Sequence, residues 1–139
     1  MEPKTPRLDP VAVLYTALSS AVTGHRVYTG VDASVDPAVS PVTVLTVPSH
    51  TPAGAYTRWS FSVDVTLMTY AASTAEAARI HAEAADALLE LTEASTEDGR
   101  PVAVSGVICT LEPADLPTRA APQWPGVMSS YNLFLRTWR

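Results

Sequence analysis

Residues 56–70, YTRWSFSVDVTLMTY, alternate without a slip. Trp59, Phe61, Val63, Val65 and Leu67 fall on one side, and Arg58, Ser60, Ser62, Asp64 and Thr66 on the other. Side chains along a strand point alternately to opposite faces, so the pattern describes a β-strand with one dry and one wet face. At ~3.3 Å per residue it would extend roughly 45 Å, about twice the usual length. The segment directly after this strand decides the fold class. Ser73-Thr74-Ala75-Glu76 is a capping-box sequence, in which the serine and glutamate cap each other's backbone donors. It opens an alanine-rich helix expected to run to about Glu93. Ala77, Ile80, Ala84, Leu88 and Leu91 form its core stripe; Ala78, Ala82, Ala85 and Leu89 form a small-residue face.

Upstream, Asp9-Pro10 reads as an N-cap followed by proline at the first helical position. Val11, Leu14, Leu18 and Val22 recur at helical spacing and Gly24 is a stop, so a helix is expected over 10–22. Residues 25–29 read as a short strand, 30–41 as a loop, and the β-branched PVTVLTV of 41–47 as a second strand. The proline-rich 48–55 is expected to be a loose connection. Downstream, 95–101 reads as a turn and 102–111 as a strand bent near Gly106. Residues 112–126, with four prolines and Trp124, read as a long loop. The last strand spans 127–139, with Tyr131, Leu133 and Leu135 on one face and Asn132, Phe134, Arg136 and Trp138 on the other. The order α-β-β-β-α-β-β, with strands joined mostly by loops, predicts an α+β fold: a mainly antiparallel β-sheet with two α-helices packed on it. At 139 residues the chain is expected to be a single domain.

Charge is uneven. Net charge is −5, and the segment from Glu76 to Asp98 carries −6 of it, leaving +1 for the remainder. The chain lacks the basic footprint of a dedicated nucleic-acid binder. Glu76, Glu83, Asp86, Glu90 and Glu93 follow steps of three and four, with Arg79 among them, so one helix face is acidic. Such a stripe is either a solvated face or a surface that repels DNA or meets a basic partner.

No catalytic arrangement stands out. His25, His50 and His81 are scattered over a junction, a proline loop and a helix, without a metal-ligand spacing. His81, with Ala77 and Ala84 as helical neighbours, is expected to be a boundary residue between the core and solvent faces of the helix. The lone Cys109 has no partner within the chain and reads as a small buried hydrophobe. Glycine-rich phosphate loops and nucleophile elbows are absent. Asp64 reads as an ordinary wet-face residue. Trp59 and Trp138 are expected in the core or on sheet faces; Trp124 is either a plug into its own core or an anchor in a partner. The polar, proline-rich start has no apolar signal core and no run of ~18 apolar residues exists, so a cytoplasmic, membrane-free protein is expected. No cofactor or metal is expected, and no enzyme.

The helix DPVAVLYTALSSAV followed by VYTG, the long strand leading into ASTAEAARIHAEAADALLEL, the strand VSGVICTLEP and the closing SSYNLFLRTW together resemble the tail terminator (tail completion) proteins of long-tailed bacteriophages, particularly those of actinobacterial hosts. The resemblance covers nearly the whole chain. It implies a structural virion protein, assembled in the host cytoplasm. Such a protein forms a homo-oligomeric ring, commonly a hexamer, on the head-proximal end of the tail tube. It ends polymerisation of the tail tube protein, meets the head-tail connector or stopper, and lets DNA pass through its lumen. Under that reading Glu76, Glu83, Asp86, Glu90 and Glu93 line the lumen, and Trp124 with Arg119 lies at an interface. The alternatives are another neck protein, a connector or stopper, and a small α+β ligand-binding domain.

Overall fold

The computed structural model describes residues 9–29, 36–37, 39–52, 60–96, 99–116 and 124–137, with backbone alone at 49–52 and 137. The elements are α1 (Pro10–Ala21), β1 (Arg26–Tyr28), β2 (Val42–Pro52), β3 (Ser60–Tyr70), α2 (Thr74–Leu89), β4 (Glu93–Ser95), β5 (Pro101–Asp115) and β6 (Gly126–Thr137). The strands form one sheet in the order β1-β2-β3-β6-β5-β4. Every pairing is antiparallel except β1 with β2. The expected α+β architecture is present, with β4 added as a three-residue strand.

The alternation of β3 places Val63, Val65, Leu67 and Thr69 against the helices, while Asp64 stands exposed on the outer face. Tyr56 to Trp59 lie outside the described residues, as does Trp138. β6 pairs with β3 from Ser60↔Arg136 to Tyr70↔Gly126 without interruption. It directs Tyr131, Leu133 and Leu135 inward and leaves Phe134 and Arg136 exposed outward, as its alternation predicts. One core results, joining Leu14 and Leu18 of α1, Leu45 of β2, the inner row of β3, Ala84 and Leu88 of α2, Val102 and Val104 of β5, and the inner row of β6. A fully buried leucine contributes about 1.5–3 kcal/mol relative to an exposed one, so this central row holds the helices to the sheet.

The helix starts follow the sequence. The Asp9 carboxylate accepts from the backbone N–H of Val11 at 3.1 Å and of Ala12 at 3.3 Å, with Pro10 at the first position. Asp9→Ala should therefore lower stability by about 1 kcal/mol, read as a shift of the urea midpoint without a change in slope. Ser73 Oγ accepts from Glu76 N–H at 3.2 Å, the serine half of the capping box.

Four expectations need correction. The second helix ends at Leu89 rather than near Glu93: Thr92 and its neighbours leave the helical path, and 93–95 pair with 101–103. Residues 48–52 are not a loose connection. β2 continues through them after a register shift between Thr46 and Ser49, where Pro48 sits. Proline lacks a donor and is tolerated on an edge strand or at a bulge. β5 likewise runs on to Asp115. Finally, Cys109 is exposed, not buried. The turn between β4 and β5 forms with Gly99 at φ +83°, and the bend expected at Gly106 is present. Gly106 adopts φ +61° beside a register shift between Ser105 and Ile108, and a Cβ there would lie 3.1 Å from the Phe134 ring. That kink carries the distal half of β5 away from the helices.

Candidate functional site

Three regions hold the residues of interest. The first is a chain of buried polar groups beneath α2. His81, 1% exposed, faces the sheet rather than lying at a boundary. Its Nδ1 is 2.8 Å from Thr69 Oγ1 and its Nε2 is 2.6 Å from Ser129 Oγ. Thr69 Oγ1 is 2.8 Å from Thr43 Oγ1, which is 2.7 Å from His25 Nε2. Ser129 Oγ donates to Tyr131 Oη at 2.8 Å.

That last bond orders the others. A serine hydroxyl has one proton; with it given to Tyr131, His81 Nε2–H must be the donor to Ser129. Neutral His81 then accepts at Nδ1 from Thr69, Thr69 accepts from Thr43, and Thr43 accepts from His25 Nε2–H. Every linking group is satisfied with both imidazoles neutral and protonated at Nε2. Burial pushes the His81 imidazole down to about 4, with His25 adding a smaller effect in the same direction. Burial also lowers His25, against the attraction of Glu83. Ser129 beside a histidine has the distances of a nucleophile and its base, but Ser129 is fully buried and offers no route to a substrate. The arrangement is a polar seam that sets how α2 sits on the sheet.

The second region is the acidic helix face. Glu83, Asp86 and Glu90 are exposed on α2 and Glu76 is half-buried in its first turn. Glu93 is not on this face: it belongs to β4. Glu97 and Asp98 lie outside the described residues. Glu83 has a local task. Its Oε1 accepts from Gly24 N–H at 3.2 Å, and its Oε2 is 3.8 Å from His25 Nδ1, a buried nitrogen without a hydrogen-bond partner among the described residues. A Cβ on residue 24 would come within 2.7 Å of this carboxylate, so Gly24 permits the approach. Asp86 and Glu90 remain as the exposed acids of the stripe. Asp64 accepts from Asn132 Nδ2 at 2.9 Å across the outer face.

The third region is the distal end of the β5–β6 ribbon. Residues 108–115 of β5 are exposed throughout. Ile108 pairs with Asn132 and Leu111 with Ser130, so both share the outer face with Phe134. Ile108 is 57% exposed, Leu111 44% and Phe134 42%. Just beyond the distal end of this ribbon Trp124 is half-buried, with its ring edge-to-face on Tyr70 at 6.1 Å and 67°. Trp124 thus rests on its own domain yet keeps part of its surface outside. Losing that contact should cost about 1 kcal/mol, so Trp124→Ala should still fold, checked by its thermal transition; complete unfolding would make it a core plug. Arg119 lies outside the described residues, and of His50 only the backbone, on β2, is described.

Among the described residues, no group of three or more His, Cys, Asp or Glu side chains could hold a metal, and no helix is long and apolar enough to cross a membrane. Sequence reasoning missed the polar seam because its members are far apart in the chain. Its only visible trace was a histidine on the apolar side of α2. No protein-family model matches the chain, and no curated protein matches it either.

Proposed function

We propose that this chain is a structural ring subunit of a phage tail, acting as a tail terminator: it caps the head-proximal end of the tail tube, ends tube polymerisation and joins the tail to the head connector. The observation that carries the reading is the exposed apolar margin at Ile108, Leu111 and Phe134, on the outer face of the sheet along its β5 side. A monomer that keeps three large apolar side chains side by side in water has a surface suited to another protein. The resemblance of helix, long strand, capped helix and closing strand to tail terminators supplies the identity of that assembly. A ring of identical subunits requires heterologous interfaces that close on themselves, each burying more than about 1,000 Å².

The acidic face of α2 suits a lumen through which DNA slides, since like charge keeps a polyanion from adhering. Asp86 and Glu90 are the residues free to do this, because Glu83 is engaged with Gly24 and His25. Reversing both to lysine should leave folding and ring assembly intact and slow DNA passage; unchanged passage would remove the stripe from the lumen.

The reading is tested by adding the purified protein to polymerising tail tube protein and measuring tube lengths by electron microscopy. Capping predicts shorter tubes bearing a ring at one end. Unchanged tubes, with the protein found on filled heads instead, would assign it to a connector or stopper.

A further inference from the structure

Among the described residues, each of the two margins of the sheet is only partly paired. On one side β1 pairs with 42–44 of β2 and stops. On the other, β4 pairs with 101–103 of β5 and stops, apart from one more bond from Val104 N–H to Thr92 O. Among the described residues, no strand pairs with the outer edge of β2 over 45–52 or of β5 over 105–115. Backbone donors and acceptors on such edges are templates for another strand.

The two open stretches overlap. Following the ladders across the sheet, Thr46 lies level with Thr66, Ser130 and Leu111, and Pro52 lies level with Phe61, Leu135 and Val104. Residues 46–52 of β2 therefore stand at the height of 104–111 of β5, while Ala114 and Asp115 stand level with Val44 and Thr43, which β1 covers. The directions alternate from β2 through β3 and β6 to β5, so β2 and β5 run antiparallel. Rotating a copy about an axis along the strands brings β5 of one subunit beside β2 of the next, antiparallel and at the same level. The charges agree with this placement. β5 ends in exposed Glu112 and Asp115, and β1, at the same end of the sheet on the opposite margin, carries exposed Arg26.

We infer that the ring is closed by strand addition between copies of this chain, β5 residues 105–111 of one subunit pairing antiparallel with β2 residues 46–52 of the next, and Glu112 and Asp115, which follow on β5 and reach the level of β1, meeting Arg26. The inference rests on the ring reading above and names its contact. Prolines 48 and 52 and the register shifts of β5 interrupt both edges. Such interruptions restrict which strand can pair and in which register. A small stagger between neighbours clears β1, as strand tilt in a closed sheet requires.

The native Cys109 reports on this contact, because it is exposed on the open part of β5. Thr46→Cys, Val47→Cys and Ser49→Cys are made singly in the full chain, with Ser62→Cys in the central strand β3 as control, and oxidised mildly at concentrations where the protein associates. At least one β2 cysteine should give a ladder of disulfide-linked multimers that collapses on reduction and is lost in a Cys109→Ser background; the control should give none. Arg26→Glu should weaken association, and adding Asp115→Arg should restore it. If light scattering shows a ring but no β2 cysteine gives the ladder and the charge exchange has no effect, strand addition is wrong and the ring reading stands. A ladder from a protein that leaves tube length unchanged would keep the edge contact and remove the terminator role. A chain that stays monomeric at every concentration and with tube protein present would remove both.

Discussion

Lowering the pH from 6.5 to about 4 should destabilise the fold by ~3 kcal/mol, and His81 should account for most of the loss. In the unfolded chain a histidine takes up a proton near 6.5; in the folded chain burial holds His81 down to about 4. Between those values the unfolded state binds more protons, so stability falls with pH. The contribution is fully present above 6.5 and is lost as pH drops through the folded value. His25, also lowered by burial, adds to the same slope. Burial is the main reason the proton is refused. His81 is almost wholly covered beneath α2, so its imidazolium would lose its hydration, and His25 close by adds to the penalty. His81→Gln retains an amide near Ser129 without a titrating group. It should be less stable at pH 7 yet show a shallower decline towards pH 4. Urea unfolding at a series of pH values measures both. A wild-type stability that is flat across this interval would mean that His81 is not buried neutral.

Replacing Ile108 and Leu111 together by lysine should abolish ring formation while leaving the monomer folded. Both side chains are already largely in water, so their exchange removes little buried area, and surface substitutions of this kind usually change stability by less than about 0.5 kcal/mol. At an interface the effect is different. Two apolar anchors would be lost and two ammonium groups would have to be desolvated at every contact around the ring. Association therefore fails by exclusion as well as by lost contact. Sedimentation velocity, compared with circular dichroism of the same sample, separates the outcomes. A double variant that still forms rings would place the subunit contact elsewhere; one that unfolds would show that the two residues serve the core.

The parts of the fold legible in the sequence are those written in local chemistry. Asp9-Pro10 and Ser73 announce helix starts because a cap needs only a side-chain oxygen within three residues. The alternation of 61–69 announces an inward row because the strand period is local. The parts that were not legible depend on partners far along the chain. Pro48 reads as a loop residue, yet β3 holds the strand beyond it across a bulge. Glu112 and Pro113 read as the start of a loop, yet β6 extends β5 through them. Glu93 continues the acidic spacing of the helix, but β5 recruits it into a strand. Cys109 alternates like a core residue but lies beyond the kink at Gly106, where the helices no longer cover the ribbon. His81 shows only that it lies on the apolar side of α2, not its partners, since Thr69 and Ser129 reach it from 12 and 48 residues away. Glu83 looks like any member of a solvated stripe, although it holds the turn after α1.

The absolute mass of the purified protein, measured by light scattering over a wide concentration range with and without tail tube protein, tests the ring most directly. A closed multimer of one size, either free or appearing when tube protein is added, is the expected result. A monomer or dimer whose mass ignores both concentration and tube protein would contradict it.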